Sequence, residues 1–154
     1  MTRSYLRLRF LIDGDGTGKL LACAEAGGFR GEGGAYFGVE ELKDFANAIG
    51  LFPLPSNDKR LSIASGFCKK DGSGELDQEH LAISVYAADA RRGYMGIQIR
   101  MATEVWESTR PESQMAAKIE VVTTYEPLSR FSKDVLSLLH GRVPEALLEG
   151  ETIP

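Results

Sequence analysis

The chain has 154 residues, 43% of them hydrophobic and 26% charged, an ordinary globular composition that excludes a disordered or fibrous class. At this length a single domain over 1–154 is expected, large enough to bury about 70% of its unfolded surface without staples. A net charge of -4 with no compensating run of Lys and Arg argues against a nucleic-acid partner held through its phosphates.

The first apolar run, Tyr5 to Ile12, is interrupted by Arg7 and Arg9, so it has no signal-peptide core. No stretch approaches the roughly 20 apolar residues that cross a bilayer. A cytoplasmic location without a membrane partner is therefore expected. Cys23 and Cys68 form no CxxC pair and lie in apolar, strand-like runs, where free thiols pack as small hydrophobes.

In chain order, Leu6, Leu8, Phe10 and Ile12 alternate with Tyr5, Arg7, Arg9 and Leu11, which predicts a first strand with one apolar face. DGDGTG at 13–18 is a turn, and 19–26 returns as a weaker second strand. Glycines 31, 33 and 34 interleave with Phe29, Ala35 and Phe37, which predicts a third strand with a nearly bare face that another element can approach closely. In GVEELKDFANAIG the residues Leu42, Phe45, Ala46 and Ile49 make one helical stripe, with Glu40 and Glu41 in the first turn and Gly50 and Pro53 as the stop.

Leu61, Ile63 and Phe67 mark a fourth strand, ended by KKDGSG. From His80 to Glu107 two alternating segments flank Asp89 to Gly93, a hairpin whose buried parity carries Leu81, Ile83 and Val85, then Ile97, Ile99 and Met101. Ile119, Val121 and Thr123 mark a seventh strand. Pro127 opens a second helix with Leu128, Phe131, Val135 and Leu138 on one face and Gly141 beyond its end. The tail 142–154 is expected to be irregular. Short polar connections favour antiparallel neighbours, so the expected fold is α+β: a two-layer, mainly antiparallel sheet of six to seven strands, with two helices packed on one face and the other face wet.

Motifs that carry chemistry fail on particular residues. Asp13, Asp15, Thr17 and Gly18 imitate the start of a calcium loop, but the bidentate Glu that should close it is Ala24. The second imitation, around Asp71, Ser73 and Gly74, begins with Lys69 and closes on His80. GDGTGK lacks the first glycine of a phosphate loop, where Asp13 stands, and the hydroxyl after its Lys, where Leu20 stands. His80 and His140 have no ligand spacing for zinc. The residues therefore point to no catalytic set, cofactor or metal. The better candidate is the polar parity of the strands. Tyr5, Arg7, Arg9, Tyr86, Gln98, Arg100, Glu104, Trp106, Lys118 and Glu120 would project from the open side of the sheet, and Arg, Trp and Tyr are the types enriched at interface anchors.

The helix GVEELKDFANAIGLFPL with its ELxxF start at Glu41, Leu42 and Phe45, the hairpin LAISVYAADARRGYMGIQIRMA and the ending KIEVVTTYEPLSRFSKDVLSLLHG stand in an order that resembles small bacterial single-domain proteins. It is similar to the WapI-type immunity proteins of polymorphic toxin systems, over residues 5 to 141. That resemblance implies a non-enzymatic protein that binds and neutralises a partner protein. The alternative is a small-ligand-binding protein or enzyme with a pocket between helices and sheet. A homodimer is a further expectation left open, because an open sheet leaves edges to be paired.

Overall fold

The computed structural model describes residues 3–151. Along them run β1 (Tyr5–Ile12), β2 (Thr17–Ala26), β3 (Phe29–Gly38), α1 (Val39–Ile49), β4 (Leu61–Cys68), β5 (Leu76–Asp89), β6 (Tyr94–Ala102), β7 (Ala116–Thr124), α2 (Tyr125–Leu139) and β8 (Ala146–Glu149). The strands form two sheets of four, ordered β3-β2-β1-β8 and β4-β5-β6-β7, and neighbouring strands are antiparallel throughout.

Period-two alternation gives each sheet one apolar face, and the two faces share a core. Leu6, Leu8, Leu20 and Phe37 come from the first sheet; Ile83, Val85, Ile97, Ile99 and Val121 come from the second. Strand β3 is where the sheets meet, and it crosses the second sheet strand by strand. Gly31 lies against Ala117 of β7 and Met101 of β6, Gly33 lies against Met101 and the His80 carbonyl of β5, and the Ser65 hydroxyl of β4 donates to the Tyr36 carbonyl. A Cβ on Gly31 would stand 2.8 Å from the Ala117 Cβ. The bare face expected of the third strand is thus the contact that lets two sheets cross steeply.

Away from β3 the helices fill the space between the sheets. α1 lies against β3 and β4, α2 against β1, β7 and β8, and each helix touches the other. Leu42, Ala46 and Ile49 of α1 and Leu128, Phe131, Val135, Leu138 and Leu139 of α2 are buried at the spacing that makes a helical stripe. Two polar contacts lock the helix pair: Ser132 donates to the Ala46 carbonyl at 2.6 Å and the Tyr125 hydroxyl to the Gly50 carbonyl at 2.9 Å.

The α+β class and antiparallel pairing are as the sequence leads one to expect, but the layering differs. In place of one sheet of six to seven strands there are eight strands in two sheets. The physical reason is coverage: helices of 11 and 15 residues present too little apolar surface to cover every inward side chain, so the sheets cover each other. The tail 142–154 is also not irregular throughout. Its Ala146 and Leu148 are buried, and β8 pairs with Tyr5–Leu8 of β1. Four residues are too short a run for periodicity to distinguish from a loop. Cys23 is buried as expected, whereas Cys68 is exposed because it ends β4 beyond the core.

Candidate functional site

The ten residues expected on one open sheet face lie in three places. Tyr5, Arg7 and Arg9 belong to the outward parity of β1 in the first sheet; Tyr86, Gln98, Arg100, Lys118 and Glu120 belong to the outward parity of β5, β6 and β7 in the second. Because the sheets share a core, these two faces point away from each other. Glu104 and Trp106 follow β6 in the loop before β7, both exposed. No one partner contact unites all ten.

The second sheet's outer face is built as a layer of its own. Tyr86 is only 2% exposed although it points away from the core. Its ring lies on Gly96 of β6, where a Cβ would come within 2.5 Å of it. The Arg60 guanidinium covers it, 4.1 Å from the ring centroid, a cation–π arrangement. The hydroxyl donates to the Glu120 carboxylate on β7. Burial, and then the Glu120 hydrogen bond, hold the phenol well above the ordinary tyrosine range. Ala82 and Ser84, the next residues of that parity, are buried as well. The expectation of a wet parity on β5 is therefore corrected, because a loop side chain and a flat ring cover it.

Arg60 is fixed in turn. It donates from Nε to the Asn57 side-chain oxygen at 2.8 Å and from Nη1 to Gln98 Oε1 at 2.9 Å. Gln98 also accepts from Arg100 at 3.4 Å, and Arg100 makes a two-point contact with Glu79 at 2.9 and 3.2 Å. The result is a hydrogen-bonded chain from Asn57 to Glu79. Arg60 and Glu79 were not among the expected residues. Arg60 lies outside any alternating run, and Glu79 reaches this face because a register shift between Ser65 and Gly66 of β4 skips His80 of β5.

One residue along β5 from Glu79, Gln78 lines an open groove of about 1050 Å³ whose walls include Phe67, Lys70 and Trp106. Trp106 is 59% exposed, and its ring leans on Phe67, with centroids 4.8 Å apart. Phe67 meets the buried His80 edge-on at 4.5 Å. The Gln78 carboxamide oxygen accepts from His80 Nε2 at 2.9 Å and from the Val105 amide at 3.0 Å, while its nitrogen donates to the Val105 carbonyl at 2.8 Å. The loop that carries Trp106 is thus tied to β5 by a side chain that mimics a strand neighbour. His80 supports this wall and, with its Nε2 proton given to Gln78, does not present that nitrogen to the groove.

Between the helices and the sheets, Leu8, Ile49, Ile83, Phe131 and their neighbours leave a void of about 10 Å³, at or below the room one water needs. The two Asp-Gly loops are alike. Asp15 Oδ1 accepts from the Thr17 amide and hydroxyl at 3.0 and 2.6 Å, and Asp71 Oδ1 from those of Ser73 at 2.9 and 2.6 Å. These bonds hold both carboxyls below their ordinary pKa. Each loop uses its own carboxylate oxygen to close a turn. No group of three or more His, Cys, Asp and Glu side chains able to hold a metal occurs among the described residues, and no helix there is long and apolar enough to cross a membrane. Compared with protein-family models, with curated proteins and with solved structures, the chain finds no match.

Proposed function

We propose that this chain is a non-enzymatic interaction protein of the immunity type, which binds and neutralises a partner protein through the surface around Trp106. The observation that carries the reading is the held, exposed indole. A Trp that is 59% exposed yet supported from below by Phe67, His80 and Gln78 is an anchor whose ordering cost has already been met by the fold. Arg60 and Arg100, on the outer face of the second sheet, are likewise held in place by Asn57, Gln98 and Glu79, a second surface whose donors suit a partner's carboxylates. The filled interior favours this reading over a pocket between helices and sheets. The immunity assignment itself rests on the resemblance in element order.

The test is co-purification of the full chain with the product of an adjacent gene. Trp106→Ala is expected to weaken that complex by about 2 kcal/mol or more, with the melting temperature of the free protein unchanged. A second reading, a small ligand in the groove, is favoured by its 1050 Å³, just above the roughly 300–1,000 Å³ of ligand pockets. A metabolite that raises the melting temperature of the wild type but not of Trp106→Ala, with no protein partner captured, would replace the first reading by the second.

A further inference from the structure

We infer that two copies of this chain pair through the open half of β1, antiparallel, about a two-fold axis at Leu11. β2 pairs with all of β1 from Tyr5 to Ile12, whereas β8 pairs only with Tyr5 to Leu8. The other edge of Arg9 to Ile12 has no strand beside it among the described residues.

The direction of the main-chain groups follows from two hydrogen bonds. The Asp13 amide donates to Thr17 of the β2 side, and Gly150, following β8, donates to the Ser4 carbonyl. Groups alternate along an antiparallel strand, so odd residues of β1 address β2 and even residues address the β8 edge. Phe10 and Ile12 therefore present two amides and two carbonyls to that edge, and none of the four has a main-chain partner outside the ladders.

Only one register uses them all in a symmetric pair. With Leu11 opposite Leu11 of the second copy, Phe10 stands opposite Ile12 and Ile12 opposite Phe10, which forms four main-chain hydrogen bonds. Centring on Phe10 instead would place Ile12 against Leu8, where Ala146 already sits. Centring between residues would set inward side chains against outward ones. In the Leu11 register the side chains agree. Leu11 and Ile12, 56% and 53% exposed in the single chain, meet Leu11 and Phe10. Arg9 comes opposite Asp13 of the second copy, twice, and neither residue has an ion pair within the described chain. The pairing ends there. Gly14, with φ of +83°, turns the chain away, and Glu145 before β8 is held by Arg7 at 2.8 Å. An edge carrying exposed leucine and isoleucine is the kind that pairs with another chain unless it is blocked. This inference is independent of the partner proposed above, since it uses a different sheet.

The experiment is sedimentation equilibrium of the full chain at concentrations up to about 500 µM, because so small an interface is weak, together with a cysteine scan in a Cys68→Ser background. A concentration-dependent dimer is expected, and Leu11→Lys should abolish it with the circular dichroism and melting temperature retained. Leu11→Cys should cross-link to itself under mild oxidation far more than Arg9→Cys or Ile12→Cys, because directly opposed residues of a non-hydrogen-bonded pair have disulfide spacing. Asp13→Arg should weaken the dimer, and Arg9→Asp combined with it should restore it. A wild type that stays monomeric, a dimer indifferent to Leu11→Lys, or equal cross-linking at all three positions would each overturn the inference.

Discussion

The outer faces of the two sheets follow the same alternation and end up with different physics. On the first sheet, Arg7 reaches Glu145 at 2.8 Å and Arg30 reaches Glu32 at 2.8 Å, but these pairs are 37% to 63% exposed and contribute little. On the second, Tyr86 lies flat between Gly96 and Arg60, and the face is as buried at its centre as the core behind it. The difference comes from a loop. The segment before β4 delivers Arg60 over the second sheet, whereas on the first sheet cover is confined to one end, where Arg3 and Arg7 lie over the buried Tyr5 ring, and Arg9 and Leu11 are left open to water. An outward parity therefore carries structural weight when a neighbouring segment closes over it, and is a solvated surface when none does.

Tyr86 separates the two faces most. Tyr86→Ala is expected to cost about 3–5 kcal/mol in urea unfolding, as for a buried aromatic, while Leu11→Ala on the other face should stay within about 0.5 kcal/mol. A Tyr86→Ala cost as small as that of Leu11→Ala would mean the layer is a lid and not part of the fold.

Next in size is Gly96→Ala, whose Cβ would meet the ring at 2.5 Å and should cost about 1–3 kcal/mol. In a Tyr86→Ala background that cost should nearly vanish, since a double-mutant cycle isolates the contact. Arg60→Ala should cost about 1–2 kcal/mol through the lost ring contact and the lost hydrogen bond to Gln98, against about 0.5 kcal/mol or less for Arg9→Ala, both read from the same urea midpoints.

The smallest effect is a pH dependence. Tyr86 is held above the ordinary phenol range by burial and by Glu120, so the fold favours its neutral form. That contribution is complete below about pH 10, where an unfolded tyrosine is also neutral. It is lost as pH rises above that value toward the folded pKa. Alkaline ultraviolet titration should therefore show one of the five tyrosines ionising only with unfolding, and Tyr86→Phe should remove that late step.

Much of the fold was legible from periodicity. The stripes of α1 and α2 and the inward parity of β1, β5, β6 and β7 are spacing arguments, and spacing is local. The bare face of β3 was legible too, from Gly31 and Gly33. The division into two sheets was not, since the same alternation serves a sheet covered by helices or by another sheet. Within the candidate site, Trp106 and Arg100 were legible by residue type. Arg60 and Glu79 were not, because one comes from a loop and the other reaches its face only after a register shift that skips His80.

By itself the sequence determined every element but β8, their antiparallel pairing and which side chains of the alternating runs must leave water, because those follow from the chain's own periods of 2 and 3.6 residues. Only the tertiary structure decided which outward residues are surface. Tyr86 and Arg9 have the same relation to their strands. One is buried because Arg60, 26 positions away in the chain, folds over it, and the other is exposed because β8 stops at Ala146 and leaves that edge of β1 uncovered.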